Sequence, residues 1–373
     1  MSEYRNIPYV ALAAQFADER NELMPKIEAV LASGHYIGGP EVEALEDELA
    51  AYCGTSYAIT VSSGTDALNL AMEVLGISQG DEVITPPNSF VSSASCIVRA
   101  RATPVFADVQ QDELIDPAAV EAAITPRTKA IIPVHLRGSV CDMPALRRIA
   151  NRHGLLLVED AAQAVGSALG NVRTGALGDI ACFSAHPLKL LNGAGDCGFI
   201  TTNDADVAAR LKRLRNAGLA DRNTVSDWGT IARLDAIQAA ILRVRLKRLD
   251  GVIAGRRKVA AAYLSGLSGT GLHLPYARHD EYHTYNTFTV QSSNRNAFAK
   301  SLQEAGIESK IHYPIPLHLQ PVARDLGYRE GMFPVAERLA KTILSLPAHQ
   351  FLDTGEIDYV IAASRSACSL NAA

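Results

Sequence analysis

The sequence predicts an α/β protein, with a mostly parallel sheet covered by helices on both faces and a smaller C-terminal α+β domain. Short apolar or β-branched runs alternate with helical segments from about residue 57 to residue 202. Several runs, such as "LLLVEDAA", are apolar throughout, which is typical of parallel strands buried on both faces. The alternation changes near residue 249, so we expect domains over 1–248 and 249–373.

Two amphipathic helices come first, and a turn rich in glycine between them carries Tyr36. The helices are expected over about 16–31 and 41–53, each closed by a glycine. The strands that follow are predicted at 57–63, 81–87, 103–109, 129–136 and 155–162, with helices at 66–76, 88–100, 116–124 and 143–154. A charged helical region then runs to about residue 249. The second domain is expected to contain strands over 283–291 and 306–314 and a helix over 333–344.

Composition excludes several classes of function. The net charge of −5, the isoelectric point near 6.1 and the absence of a Lys/Arg-rich run argue against nucleic-acid binding. The basic group over residues 243–248 alternates with apolar residues, as on the polar face of a helix. Six scattered cysteines without a C-x-x-C pair predict reduced thiols in a cytoplasmic protein. No apolar run reaches membrane-spanning length and the N-terminus resembles no secretory leader, so no membrane partner is expected.

The stretch "FSAHPLKLLNGAGD" stands between two apolar runs, "DIACFSA" and "CGFITT", and contains Lys189. A proline and two glycines beside this lysine exclude a regular strand. A lysine of depressed pKa on a stiff turn is a means of presenting an amine to a carbonyl or to pyridoxal phosphate. The alternative is a surface loop with an incidental lysine.

Polar residues at other predicted strand ends should meet Lys189, because ligands gather at the carboxyl ends of parallel strands. Gly64-Thr65-Asp66 opens a helix after the first strand, and its N–H groups and hydroxyl suit a phosphate. Ser184 would add a second phosphate contact. The simpler interpretation of this turn is a helix N-cap formed by Thr65 or Asp66.

Three further residues complete the pattern. Asp160 ends a buried strand, where an unpaired carboxylate is costly unless a cation such as a pyridinium nitrogen faces it. Gln163 follows within reach of a ring hydroxyl, and Phe90, near the start of a predicted helix, suits stacking on a ring. Taken singly, Asp160 is equally compatible with a structural ion pair or a helix cap, and Phe90 with the core. Together the residues describe a pyridoxal-phosphate site.

The chain also resembles the DegT/DnrJ/EryC1/StrS group of sugar aminotransferases, which have the type I aminotransferase fold. The resemblance covers nearly the whole sequence. It includes "GHYIGGPEVEALEDELAAYCG", "VSSGTDAL", "PPNSFVSSA", "LLLVEDAAQAVGS", "FSAHPLKLLNGAGDCGFI", "RLDAIQAAIL" and "HYPIPLHLQ". This resemblance implies homodimers with the active site at the subunit interface.

The resemblance also implies roles for single residues. Lys189 would bind the cofactor's aldehyde carbon covalently, and Asp160 would pair with the ring nitrogen. Gln163 would lie near the ring hydroxyl and Phe90 on the ring, while Gly64, Thr65 and Ser184 would hold the phosphate, with Asp66 beside them. The residues expected to face the substrate are Tyr36, Arg137, His186, His312 and Tyr313.

Three positions bear on how far the resemblance extends. The family often has an asparagine that reaches the partner's phosphate, and Ile231 stands at that position here. Arg137 stands where the family commonly has an uncharged or aromatic residue, and it would either bind an anionic substrate group or point to solvent. The dehydratase branch of the family has histidine in place of the reactive lysine, so Lys189 favours transamination.

Alternatives are weaker. Residues 193–198 match G-x-G-x-x-G, but a strand follows them where a dinucleotide site requires a helix. A non-catalytic regulator would have little use for Lys189 and Asp160. His312 and His318 have no third ligand nearby, so no metal is expected.

The predicted function is transfer of an amino group, with glutamate as the expected donor, to a nucleotide-linked keto-deoxysugar. A free keto sugar acid is the alternative acceptor.

Overall fold

The computed structural model of the protein describes residues 6–370, and a seven-stranded sheet forms its centre. Its strands are β1 (Tyr57–Val61), β2 (Glu82–Thr85), β3 (Thr103–Phe106), β4 (Thr128–Ile131), β5 (Leu156–Asp160), β8 (Ile180–Ser184) and β9 (Gly198–Thr202). They lie in the order β1-β9-β8-β5-β4-β2-β3. All pairs are parallel except those of β9, which is antiparallel to β1 and β8. The predicted mostly parallel sheet is confirmed.

Helices pack against both faces of this sheet. They are α1 (Leu12–Ser33), α2 (Pro40–Cys53), α3 (Gly64–Val74), α4 (Ser92–Arg99), α5 (Pro117–Ala122), α6 (Met143–His153), α7 (Ala205–Leu214) and α8 (Ala236–Gly266). Alternate strand residues enter different cores. Val158 packs with α3, α4 and α7, whereas Leu157 packs with α6 on the other face. The continuous apolar runs of the sequence follow from this double coverage.

The basic group of residues 243–248 lies on α8 and faces the acidic side chains of α1 and α2. Arg243 pairs with Glu48 at 2.8 Å and with Glu41 at 2.7 Å. Arg245 pairs with Glu19, a carboxylate that is only 2 % exposed. These basic residues therefore clamp the N-terminal helices to α8.

The C-terminal part of the chain has its own core, which includes the buried Tyr263, Phe288 and Phe298. Its elements are β10 (Glu281–Tyr282), β11 (Phe288–Gln291), α9 (Arg295–Glu304), α10 (Pro334–Thr342), β12 (Ile343–Leu346) and α11 (Thr354–Leu370). Strand β10 joins β6 (Ala168–Leu169) and β7 (Val172–Arg173) in a small sheet, and β11 pairs antiparallel with β12. Within the described residues, no helix is both long and apolar enough to cross a membrane.

The structure corrects several predicted boundaries. Helix α4 begins four residues later than expected, because the side chain of Asn88 donates to the Glu113 carbonyl and holds a turn there. The predicted helix over 333–344 stops at residue 342, where β12 begins. The strand expected over 306–314 does not form. Its two ends pair with different partners, Ile307 with Ile7 and Lys310 with Ser345.

The predicted division after residue 248 falls inside α8, which continues without interruption to Gly266. Leu249 and Ile253 pack in the core beside β8 and β9, while Val259 and Tyr263 pack in the C-terminal core. One helix thus serves both cores, so no linker marks the boundary, which stays a prediction.

Candidate active site

A cavity of about 490 Å³ lies at the carboxyl ends of β1, β5 and β8. This volume is typical of small-molecule sites. Most of the residues predicted for the site line it: Gly64, Thr65, Phe90, Asp160, Gln163, Ser184, His186, Lys189, His312 and Tyr313. We call residues 63–65 with Asp160, Ser184 and Lys189 the sheet-edge wall. Arg256, Asn286, His312 and Tyr313 form the C-terminal wall.

Lys189 is presented by a loop whose backbone is closed on itself. The Lys189 N–H donates to the His186 carbonyl at 2.9 Å, and the Gly193 N–H donates to the Ala185 carbonyl at 2.7 Å. The side chain of Asn192 donates to the Pro187 carbonyl at 2.8 Å and accepts from Gln15 of α1 at 2.9 Å. A Cβ on Gly193 would meet the sulfur of Cys197 at 2.4 Å, so the loop requires glycine there. The turn is stiff, as its sequence predicts.

The two charged groups of the sheet-edge wall are both shifted toward their neutral forms. Burial lowers the pKa of Lys189 to about 8, against the charge of Asp160, which acts to raise it. Burial likewise raises the pKa of Asp160, whose carboxylate accepts from Ser93 Oγ at 2.8 Å and from the Ala162 N–H at 3.2 Å. Within residues 6–370 neither group forms an ion pair closer than 4.0 Å. The wall therefore holds an amine and a carboxylate that act on each other at a distance but form no direct ion pair.

The turn at the start of α3 is an anion site in the same wall. Ser63 is the N-cap, and its hydroxyl accepts from the Asp66 N–H at 3.0 Å. A Cβ added to Gly64 would lie 2.7 Å from the Cβ of Ser184. Only glycine therefore allows this turn to lie so close to the end of β8. Thr65 Oγ1 lies 2.8 Å from Ser92 Oγ. Thr65, Ser92 and Ser184 thus line the cavity beside the N-terminal N–H groups of α3, a combination of donors that suits an anion.

Aromatic and imidazole side chains oppose this wall. The Phe90 ring is 54 % exposed, which overturns the alternative that it belongs to the core, and its centroid lies 5.9 Å from that of Tyr313. Burial raises the pKa of Tyr313 to about 12. Burial and the nearby charges of Arg137 and Lys189 lower the pKa of His312 to about 4, so this imidazole is neutral at pH 7.

Comparison with known proteins shows similarity along almost the entire chain. Residues 17–365 match the DegT/DnrJ/EryC1/StrS aminotransferase family. The chain is 44 % identical to the erythromycin biosynthesis sensory transduction protein EryC1 of Saccharopolyspora erythraea, covering 96 % of this chain and 98 % of that protein. It is 43 % identical to the dTDP-3-amino-3,4,6-trideoxy-alpha-D-glucose transaminase of Streptomyces venezuelae, covering 98 % and 97 %.

A crystal structure of S. venezuelae DesV in complex with a ketimine intermediate superposes with a TM-score of 0.96, at 43 % identity and 98 % and 99 % coverage. The chain belongs to the DegT/DnrJ/EryC1/StrS aminotransferase family. It is a pyridoxal-phosphate-dependent sugar aminotransferase of the type I fold.

The cavity of this aminotransferase fits its cofactor. Pyridoxal phosphate has an anionic phosphate, a basic ring nitrogen and an aldehyde. The sheet-edge wall offers a hydroxyl-lined helix start at Thr65, a buried carboxylate at Asp160 and an amine of lowered pKa at Lys189. Each uncompensated group of this wall thus has a counterpart on the cofactor.

Three predicted site residues lie outside the cavity lining. Asp66 accepts from Ser62 Oγ at 2.6 Å and Ser63 Oγ at 2.8 Å, so it braces the anion turn from behind. Tyr36 is half exposed at the surface, where its hydroxyl donates to the Leu31 carbonyl. Arg137 neither faces the cavity nor points to solvent. Its Nε pairs with Glu113 at 2.5 Å and its Nη2 donates to the His312 carbonyl at 2.6 Å.

Sequence reasoning missed several lining residues. Ser92 opens α4 after the end of β2, so the rule that placed residues 62–65 at a strand end could have been extended to it. Tyr9, Arg256 and Asn286 reach the cavity from the N-terminal segment, α8 and an irregular C-terminal loop. No local pattern marks these three. Within residues 6–370, no cluster of three His, Cys, Asp or Glu side chains is arranged to hold a metal.

Proposed function

We propose that this aminotransferase moves the amino group of glutamate to a keto-deoxysugar carried on a nucleotide. The observation that carries the proposal is the meeting of Lys189, Asp160 and the Thr65 turn in one cavity. The identity of the acceptor is supported by the similar transaminase of S. venezuelae, whose product is a dTDP-linked amino sugar.

Five side chains are assigned to the cofactor in this proposal. Thr65 and Ser184 would hold the phosphate with the N–H groups of α3, and Phe90 would stack on the ring. Asp160 would pair with the protonated ring nitrogen, and Gln163 would bind the ring hydroxyl. Gln163 Oε1 already accepts from the Arg137 N–H at 3.0 Å, which leaves its Nε2 as the donor for that hydroxyl.

Lys189 is the proton carrier. The bound cofactor supplies a ring that stabilises negative charge on the reacting carbon. With a pKa near 8, a substantial fraction of the Lys189 Nζ is neutral at slightly alkaline pH, and so it would accept a proton from that carbon as a general base. The same amine, once protonated, would return the proton to the former aldehyde carbon on the other side of the nitrogen. Asp160, if ionised beside the ring nitrogen, would keep that nitrogen protonated.

His186, His312 and Tyr313 are assigned to the sugar. They line the cavity, and the neutral imidazole of His312 and the phenol of Tyr313 suit sugar hydroxyls. The alternative of a free keto sugar acid was based on Arg137, on Ile231 and on the loop around Lys189. Because Arg137 is paired with Glu113, it no longer supports that alternative as an anion site, and a nucleotide-linked sugar is favoured.

The family resemblance implies a homodimer, and an exposed apolar surface supports one here. Trp228 is 94 % exposed, Ile231 62 % and Ile37 56 %. Ile37 pairs with Asp235, four residues beyond Ile231, so these side chains share one region. Sedimentation of the Ile231→Asp variant should show weakened association, whereas Val322→Asp, at another exposed apolar side chain, should match wild type. A monomeric wild-type protein would overturn the dimer.

Replacement of Lys189 tests the assigned chemistry. Lys189→Ala should lower turnover of glutamate by at least about 10³-fold, since it removes the base and the covalent anchor. The exposed Lys300→Ala is the control. Loss of the visible absorbance of bound cofactor on adding glutamate to wild type, and its persistence in the variant, supports the proposal. Normal turnover in Lys189→Ala would refute it, and a wild-type protein inert to amino acids would favour a regulator.

A further inference from the structure

Arg256 is a half-buried arginine of α8 whose charge no carboxylate within residues 6–370 neutralises by an ion pair. It lines the cavity in the C-terminal wall, and its Nη1 donates to the Asn286 carbonyl at 2.8 Å. Its Nε is buried and has no hydrogen-bond partner. A carbonyl accepts a hydrogen bond but does not neutralise a charge. Within residues 6–370, no carboxylate pairs with this guanidinium.

Other arginines with little exposed side-chain surface are paired differently. Each contacts a glutamate: Arg137 with Glu113, Arg215 with Glu46 and Arg245 with Glu19. A buried charge is costly unless an opposite charge meets it. Burial lowers the pKa of Arg256 to about 10, still well above neutrality, so the guanidinium stays charged at pH 7. The charge of Arg256 is therefore not neutralised within the described residues, and a bound anion would neutralise it.

Among residues 6–370, the titratable neighbours of Arg256 supply no anion. His349, whose pKa falls to about 4 through burial and the charge of Arg256, is neutral at pH 7. Tyr9 also lies close, but burial raises its pKa, so its hydroxyl stays protonated. Asn286 adds a second unsatisfied polar atom, its buried Oδ1, to the same wall. Unsatisfied polar groups in a cavity wall mark a place for a polar ligand.

The free edge of Arg256 has the geometry of a carboxylate site. The hydrogen bond to Asn286 uses one N–H of Nη1, and Nε has no exposed surface. The second N–H of Nη1 and the Nη2 group are therefore the donors left for a ligand, and two such parallel N–H groups can bind a carboxylate bidentately. Arg256 and Lys189 also both line a second, smaller cavity, so the two residues stand in adjoining parts of the site. The α-carboxylate of an amino acid is attached to the carbon that bears the amino group. A nucleotide diphosphate is separated from the keto carbon by the sugar ring.

We propose that Arg256 binds the carboxylate of the amino donor and so sets the preference for an amino acid in the first half of the reaction. This inference rests on the proposed function. It predicts that the donor's carboxylate and the cofactor's phosphate occupy opposite walls of the cavity, one at Arg256 and the other at Thr65.

The test is binding of glutarate, an unreactive dicarboxylate, to the cofactor-loaded enzyme by calorimetry. Arg256→Met should weaken glutarate binding at least about tenfold, the usual value of a hydrogen bond to a charged group. Arg256→Lys keeps the positive charge but loses the pair of parallel donors, so its affinity for glutarate should lie between those of wild type and Arg256→Met. Arg257→Met is the matched control, since Arg257 donates to the His283 carbonyl at 2.6 Å and lies over the Tyr282 ring. It should bind glutarate as wild type does.

Other anions identify the occupant. Glucuronate stands in for a sugar acid and UDP for a nucleotide, and neither should lose affinity in Arg256→Met. A loss for either of these with unchanged glutarate binding overturns the assignment to the donor. Equal glutarate affinity in wild type and Arg256→Met, or none in wild type, also overturns it. Failure of the proposed function is a separate result, in which wild type does not react with glutamate at all.

Discussion

The two sides of the cavity treat buried charge differently. At the sheet edge, Asp160 and Lys189 lie without ion-pair partners in the described chain, and burial shifts both pKa values toward the neutral forms. Behind the C-terminal wall, Arg137 is just as buried but is paired with Glu113 and donates to the His312 carbonyl. The first arrangement is incomplete without a cofactor, whereas in the second the charge of Arg137 is neutralised by Glu113 and only its buried Nη1 lacks a hydrogen-bond partner.

This difference separates binding groups from supporting groups. A charge that the protein leaves unpaired in a cavity is stabilised only by what binds there, so it reports a ligand. A charge that another side chain of the protein neutralises supports the fold, even when it lies close to the site. Arg256 lies on the C-terminal side yet follows the first pattern, which is why we assign it to a substrate and not to the fold.

The largest effect on stability is expected at Arg137. Arg137→Met leaves Glu113 buried and unpaired, and breaking such a pair costs about 3–5 kcal/mol of unfolding free energy. Denaturant unfolding measures it. Arg152→Met, which removes an exposed pair with Glu121, should cost less than about 1 kcal/mol. If both substitutions cost the same, the buried Arg137–Glu113 pair does not have the supporting role assigned to it. Adding Glu113→Gln to Arg137→Met should recover part of the loss.

The next effect is the pH dependence of the cofactor-free protein. Lys189 has a folded pKa near 8 and an unfolded value near 10.5, so between these values the unfolded chain binds more protons. Stability contributed through Lys189 therefore rises with pH across this window, by at most about 3 kcal/mol, and is constant below pH 8. The difference in unfolding free energy between wild type and Lys189→Met isolates this contribution. A difference that stays flat from pH 7 to 10.5 would show that Lys189 is not desolvated.

The sheet-edge wall was largely predictable from the sequence, and the C-terminal wall was not. Thr65, Asp160 and Ser184 end or follow strands of a parallel sheet, and topology alone brings such ends together. Arg256 and Asn286 meet because α8 runs through both cores and an irregular loop turns back toward it. Such contacts between distant segments leave no local periodicity to detect.

Arg137 shows the opposite error. Its position near the site suggested substrate binding, and its sequence gives no sign that Glu113, 24 residues earlier, would neutralise it. The pairing depends on a positive φ of 63° at Arg137, a conformation that non-glycine residues rarely adopt and that residue type does not reveal. Chemistry predicted which residue types a site requires, but only the packing showed which charges were already satisfied.

A substitution at Asp160 should separate activity from stability. Asp160→Asn removes the charge that faces the ring nitrogen, and we expect turnover to fall on the order of 10²-fold, as when one preorganised electrostatic contact is lost. The cofactor-free variant should be as stable as wild type or slightly more so, because it no longer buries an uncompensated carboxylate. Parallel rate and unfolding measurements give the result. A strongly destabilised variant would mean that Asp160 is a structural group like Arg137, and the contrast between the two walls would fail.

The smallest effect is expected at the anion turn. Thr65→Val removes one hydroxyl from several phosphate donors, so the affinity for pyridoxal phosphate should fall about tenfold, the value of one hydrogen bond to a charged group. The rate at saturating cofactor should stay close to wild type, because Thr65 is assigned to the phosphate and not to the proton transfer at Lys189. Thr354→Val, in the first turn of α11, is the matched control at a helix start without a cavity. Equilibrium dialysis measures the affinity of each variant for pyridoxal phosphate. Unchanged affinity in Thr65→Val would show that the helix N–H groups alone hold the phosphate, and that this wall recognises its ligand through backbone instead of side chains.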